Sequence, residues 1–172
     1  DAKELLAAAG IPAPAGVLLE DPATMRVLPP GPWVVKAQVA AGGRGKAGGI
    51  RKTMTEVETL AAAAEIMRMR IRGLPVRGCR VEQQIGSAQE AYLSLMVDAE
   101  AAGVRVLLAP HGGVDIETLS THSLRSIMCD PTPAAVSAGV KSLCKNLAEP
   151  LCSALTQAGE ALAQPFFAHE CM

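Results

Sequence analysis

Seventeen residues, Trp33 to Gly49 (WVVKAQVAAGGRGKAGG), constrain this chain more than any others. The first seven read as a strand, with β-branched and aromatic side chains bounded by Gly31-Pro32 before and glycines after. Lys36 is the one cation inside that strand. Five glycines then fall in the eight positions 42–49, with Arg44 and Lys46 as the only long side chains. Glycine tolerates φ > 0 and admits close approach to the backbone, so such a loop can wrap a ligand and present N–H groups to it. The two cations point to an anion, and a polyphosphate is the obvious one. The same composition also suits a mobile hairpin with solvated charges. No Ser or Thr follows Lys46, and a second short strand (Gly49-Ile50-Arg51-Lys52) follows rather than a helix, so this is not a Walker A loop. Nor does it have the spacing of a dinucleotide fingerprint. A strand–glycine loop–strand that folds over phosphates as a lid is what remains.

Bulk properties narrow the partners. The 172 residues suffice for one ordinary domain or two small lobes. Sixteen basic and seventeen acidic residues nearly cancel, which argues against nucleic acid or a membrane surface as partner. Hydrophobic content is 49%, yet Trp33, Tyr92, Phe166 and Phe167 are the only aromatics, so the core must be aliphatic and alanine-rich. No apolar run approaches the ~18 residues that span a bilayer, and no signal peptide is expected ahead of the first helix. The five cysteines are widely spaced without a CxxC pair, which predicts free thiols in a reducing cytoplasm and neither a metal centre nor thiol catalysis.

Along the chain, a helix is predicted from Asp1 to Gly10, and a short strand over Val17-Leu18-Leu19. Residues 21–32 carry four prolines and little periodicity. Thr53 to Met69 predicts the best helix, with Thr53 or Thr55 as cap, a Glu three residues after each, and an apolar stripe of Val57, Leu60, Ala61, Ala64 and Met67. Arg68, Arg70, Arg72, Arg77 and Arg80 form a basic run without interleaved aromatics, expected to be solvated. Strands are predicted over Arg80–Ile85, Gln89–Asp98 and Val104–Ala109. His111 lies in the turn that follows, where a surface place is expected. Thr132 caps a helix with Pro133 in its first turn and a stripe of Val136, Val140, Leu143, Cys144 and Leu147. A second helix starts at Pro150, with its stripe at Leu151, Ala154, Leu155, Ala158 and Leu162.

The segment "WVVKAQVAAGGRGKAGG" resembles the nucleotide lid of the ATP-grasp domain in the succinyl-CoA synthetase β-subunit family, which includes malate–CoA ligase. "AKELLAAAGIPAP", the stretch from Arg80 to Ile85, "QEAYLSLMVD" (similar to the family's "KELYLSIVLD") and "HGGVDIE" (similar to "EGGVEIE") extend the likeness over nearly the whole chain. Residues 21–32 depart from it, being too short and proline-rich for the helix usual there, and Gln89 replaces a lysine. The resemblance implies an α+β ATP-grasp fold over residues 1–172 with two lobes. The lid lobe would span about 15–85, and the second lobe 1–14 plus 86–172.

It further implies that Lys36 meets the α- and β-phosphates and that Gly43, Arg44 and Gly45 close over them. Glu82, Ile85 and Glu90 would hold the nucleoside, although Ile85 also suits plain core and Glu90 an exposed cross-strand position. The implied cofactors are ATP or GTP with Mg²⁺, whose ligands (the Asn of "EINPL" and a later Asp) are expected beyond Met172. The implied partner is a CoA-binding α subunit, whose histidine carries the phosphoryl group on the way to acyl-CoA, NDP and phosphate. These 172 residues would then supply nucleotide binding and not the complete acid–CoA ligation. Another ATP-grasp carboxylate ligase and a non-catalytic nucleotide-binding or assembly module are the alternatives.

Overall fold

The computed structural model describes residues 2–21, 27–86, 89–112 and 123–170. The chain divides into two compact units, one of Pro14–Ser87 and one of Asp1–Ala13 with Ala88–Met172.

In the first unit, β1 (Gly16–Leu19), β2 (Trp33–Gln38), β3 (Ile50–Thr53) and β6 (Gly78–Gln83) form an antiparallel sheet ordered β1-β6-β2-β3. Helix α2 (Glu56–Met67) covers one face, and a small hairpin pairs β4 (Arg70–Ile71) with β5 (Leu74–Pro75). Side chains alternate across a strand. Val35 and Ala37 of β2, with Cys79 and Val81 of β6, therefore turn to α2, while Val34, Lys36, Arg80 and Glu82 share the opposite face. Trp33 lies over Gly31, where a Cβ would sit 2.6 Å from the indole ring, and its Nε1 donates to the Pro29 carbonyl at 2.7 Å.

Thr55, not Thr53, caps α2. Its hydroxyl accepts from Glu58 N at 3.2 Å and the Glu58 carboxylate accepts from Thr55 N at 3.3 Å, a capping box worth about 1 kcal/mol. Thr53 is buried at the end of β3, where its hydroxyl meets that of Thr59 at 2.7 Å. The apolar stripe expected on α2 holds at Leu60 and Met67, which pack half-buried against the core, and fails at Val57 and Ala61. Thr59, Ala62, Ala63 and Ile66 are buried, Val57 is 79% exposed and Ala61 is exposed. An alanine-rich helix has weak amphipathic contrast, so the face that brings the small Ala62 and Ala63 onto the sheet prevails over the one carrying more aliphatic carbon.

In the second unit, β7 (Tyr92–Asp98), β8 (Gly103–Ala109) and β9 (Arg125–Cys129) make an antiparallel sheet ordered β7-β8-β9. Helices α3 (Pro133–Leu143) and α4 (Glu149–Glu170) pack on it around Val104, Val106, Leu108, Val136, Val140 and Leu155, and α1 (Ala2–Ala8) belongs to the same unit. Each such aliphatic side chain contributes about 1.5–3 kcal/mol on burial. Thr132 caps α3 by accepting from Ala135 N, with Pro133 in its first turn as expected, and Arg125 Nη1 donates to the carbonyls of Leu143 and Lys145 at its far end. Gly139 lets α3 approach β9: a Cβ there would lie 2.3 Å from Cys129 Sγ.

Among the described residues, antiparallel sheets and four helices make an α+β fold. Helix α4 begins at Glu149, and Ala154 of its expected stripe is exposed. Residues 22–26 of the proline-rich segment and residues 113–122, which include most of the turn expected after His111, lie outside the described residues. Among the described residues no helix is long and apolar enough to cross a membrane.

Candidate functional site

Lys36 and Arg80 are direct cross-strand partners, two cations facing each other on adjacent strands. Alone they would repel. Glu82 resolves this: it lies two residues further along β6, opposite Val34, on the same face of the sheet. Its Oε2 accepts from Lys36 Nζ at 2.6 Å and its Oε1 from Arg80 Nε at 2.9 Å. The carboxylate side chain is 2% exposed, against 34% for Lys36 and 18% for Arg80. On its other side β1 presents Gly16, directly opposite Glu82, where a Cβ would sit 2.8 Å from Glu82 Cγ. A bare glycine flank is thus what lets the carboxylate sink into the sheet surface. Burial of this ion requires the charge-assisted contacts it receives.

One sequence expectation changes here. Arg80, expected to be solvated with its basic neighbours, is instead half-buried on Glu82, because strand alternation turns it onto the Lys36 face. Glu82, expected to hold the nucleoside, has its carboxylate engaged by Lys36 and Arg80. Alternation within β6, once its pairing with β2 is known, was the signal available for this trio.

The loop after β2 is anchored at both ends. Ala37 N donates to Gly49 O at 2.7 Å and Gly49 N to Arg44 O at 2.8 Å, while Ala47 N and Gly48 N donate to Gly43 O and Gly45 O. Gly43 and Gly48 take φ of +75° and +77°, conformations that other L-residues resist. Gly49 is enclosed: a Cβ would lie 2.8 Å from Ile71 Cδ1 and 3.1 Å from Ala37 Cβ. The Arg44 guanidinium turns back onto β2, with Nη1 donating to the Ala37 carbonyl at 3.2 Å, and so tethers the loop.

Ile85, beyond the end of β6, is 62% exposed, which removes the plain-core reading. The chain leading to it is held by Gln83 N on Ala15 O and Gln84 N on Pro32 O, at 2.8 and 2.7 Å. Glu90 belongs to the other unit. It is exposed, precedes β7 rather than lying within it, and its carbonyl accepts from Gly112 N at 2.9 Å. His111, beside it, is exposed. Among the described residues no three His, Cys, Asp or Glu side chains gather as metal ligands. Two clefts, of about 330 and 240 Å³, lie along α4 and include none of the residues above.

The arrangement is a fixed cation beside a glycine loop on one antiparallel sheet. The ATP-grasp domain family matches residues 1–166. This chain belongs to that family. As an ATP-grasp domain it is similar to the succinate–CoA ligase [ADP-forming] subunit beta of Thioalkalivibrio sulfidiphilus (strain HL-EbGR7), at 40% identity over 138 residues, covering 74% of this chain and 36% of that protein. The chain therefore spans about a third of the length of the curated relatives it matches. Solved structures share the fold. A Pyrococcus horikoshii Ot3 crystal structure superposes with a TM-score of 0.68 at 16% identity, over 97% of this chain and 75% of that one. ATP citrate lyase from Methanothrix soehngenii, solved with citrate and coenzyme A, gives 0.65 at 18% identity, over 89% of this chain and 37% of that one.

Proposed function

We propose that this ATP-grasp domain is the nucleotide-binding part of an acid–CoA ligase of the succinate–CoA ligase kind. The observation that carries the reading is Lys36: a lysine held at 2.6 Å by a buried carboxylate, on the strand that runs directly into the glycine loop. Lys36 would meet the α- and β-phosphates as a point charge. In doing so it exchanges one oxyanion for another, while Glu82 keeps Arg80 and is not left as a buried ion without a counter-charge. Gly43, Arg44 and Gly45 would bring backbone and guanidinium close to the phosphates and exclude water from them. Ile85, an exposed aliphatic side chain on a tethered segment, suits the face of a base, and Glu90 suits the ribose hydroxyls.

The relatives named ADP-forming favour an adenine nucleotide over a guanine one. Their name, subunit beta, supports a second subunit as partner, which by the resemblance is the CoA-binding α subunit. Mg²⁺ would travel with the nucleotide. The free thiols of Cys79, Cys129, Cys144 and Cys152 fit a reducing compartment, the cytoplasm.

Calorimetric titration with Mg·ADP and Mg·GDP tests the reading. One nucleotide is expected to bind, ADP in preference, with Lys36→Ala weakening it by about 1–3 kcal/mol and Glu90→Ala weakening it through the ribose. A folded chain that binds neither nucleotide sinks the proposal.

A further inference from the structure

Helices α3 and α4 bring two cysteines together where the chain turns from one helix into the other. Cys144 closes α3, its N–H donating to the Val140 carbonyl, and Cys152 lies near the start of α4, its N–H donating to the Ala148 carbonyl at 3.0 Å. The turn between them is fixed. Asn146 takes left-handed backbone, φ +72°, which asparagine tolerates, and Leu147 N donates to the Cys144 carbonyl at 2.9 Å. The Cys144 thiol donates to the Cys152 carbonyl at 3.9 Å and also hydrogen-bonds the Cys152 side chain. The two sulfurs differ in access. Cys144 is 2% exposed, whereas Cys152 is half-buried and lines the cleft of about 240 Å³ on α4 together with Lys141, Ser153 and Thr156.

We propose that Cys144 and Cys152 are a redox-sensing dithiol, which closes to a disulfide within the native fold when a peroxide enters this cleft and reopens to a thiol reductant. The proposal is independent of the nucleotide-binding reading. Cys152 is the residue the oxidant reaches. Its sulfur, as thiolate, attacks one peroxide oxygen, the O–O bond breaks, and the departing hydroxide takes up a proton to leave as water, so that Cys152 becomes a sulfenic acid. Cys144 then resolves it. The Cys144 thiol gives up its proton, its sulfur attacks that of Cys152, and the S–O bond breaks to release a second water. Two thiols thus lose two electrons and two protons to one peroxide, and a reducing dithiol reverses the step by exchange. Burial first, and Cys152 beside it, push the Cys144 thiol up to about 11, so it stays protonated and inert until a sulfenic acid forms next to it. Transient disulfides of this kind are the ones that a reducing cytoplasm allows. Cys79, whose thiol donates to the Ala63 carbonyl, and Cys129, beneath Gly139, are buried in the two cores and serve as internal controls.

The test treats the full chain with stoichiometric hydrogen peroxide and cleaves it without reductant after Lys145 and Glu160, which places Cys144, Cys152 and Cys171 in separate peptides for mass spectrometry. The expected product links the Cys144 peptide to the Cys152 peptide, is undone by dithiothreitol, and leaves Cys79 and Cys129 as thiols. Closing the short loop between the helices is expected to raise the thermal midpoint of the oxidised chain by about 5 °C. In Cys144→Ala the same peroxide should instead carry Cys152 on to sulfinic acid, because its resolving thiol is gone. Cys152 linked to Cys171 in the wild type, Cys152 found there as sulfinic acid, or both thiols left unreacted overturns the proposal. A Cys144–Cys152 link that lowers the midpoint overturns it as well, since the bond would then form only in a chain that has opened.

Discussion

Glu82→Gln isolates the electrostatics of the Lys36 face. The substitution keeps side-chain volume and an acceptor oxygen but removes the counter-charge that Lys36 and Arg80 share across their strand pair. Removing one partner of a buried ion pair costs about 3–5 kcal/mol. Here the carboxylate is 2% exposed, but Lys36 and Arg80 retain 34% and 18% exposure and recover part of their hydration. A loss of about 2–3 kcal/mol is therefore expected, which corresponds to a fall in Tm on the order of 4–12 °C for a chain of this length. Urea unfolding followed by Trp33 fluorescence is the assay. The indole is the only one in the chain and sits on β2 itself, so it reports the unit in question. Glu65→Gln serves as the comparison. Its pair with Arg51 joins side chains 61% and 41% exposed and is worth below about 0.5 kcal/mol. If Glu82→Gln costs no more than Glu65→Gln, the trio is not a buried ion cluster and the account of Lys36 is wrong. The combined change Lys36→Met, Arg80→Leu, Glu82→Leu should recover most of the stability, because a face without charges needs no compensation, while abolishing nucleotide binding.

Two further outcomes follow from packing and burial. Gly139→Ala places a methyl 2.3 Å from Cys129 Sγ, and should cost about 1–2 kcal/mol net of the helix propensity gained; adding Cys129→Ala should restore it in urea titration. Burial pushes the thiols of Cys79 and Cys144 up to about 11 from an ordinary 9.0. Above about pH 9 the unfolded chain releases these protons first, so stability is fully present below that pH and is lost progressively toward about pH 11; Cys79→Ala should flatten the fall seen in urea midpoints over this range.

How much of this was legible in the sequence depends on how strong each local signal is. The strand from Trp33 to Val39, the strand at Gly49–Lys52 and a threonine cap on each of α2 and α3 all rest on residues with a strong conformational preference, and they stand in the structure within a residue or two, Thr55 being the one of its two candidates that caps α2. The face of α2 was misread because Ala61, Ala62, Ala63 and Ala64 are nearly equivalent in hydrophobicity, and only the sheet they meet distinguishes them. Arg80 was misread for a related reason. A basic residue in a run of basic residues looks solvated until its strand partner is known, and the register that sets it opposite Lys36 is a long-range fact. The strand expected from Gln89 begins at Tyr92, because Gly112 N binds the Glu90 carbonyl and packs against the Glu90 side chain, taking that residue out of the ladder.

On the proposed nucleotide-binding reading, the division of labour around β2 accounts for a lysine on the strand and glycines beyond its end. A cation in the loop would have to be ordered each time a ligand arrived, at a cost in side-chain entropy. On β2 the backbone of Lys36 is fixed by ladders to β3 and β6, and its ammonium is aimed by Glu82 before any anion is present. The loop beyond it can then be mostly glycine and alanine, with Arg44 Nη1 tethering it to β2 and Lys46 its other long side chain. The cost is a ground-state ion pair that would compete with a phosphate for Lys36. Arg80 reduces that cost, since Glu82 keeps one charge-assisted contact after Lys36 leaves. A second cation on β6 is therefore what makes a strand-borne lysine both pre-aimed and releasable.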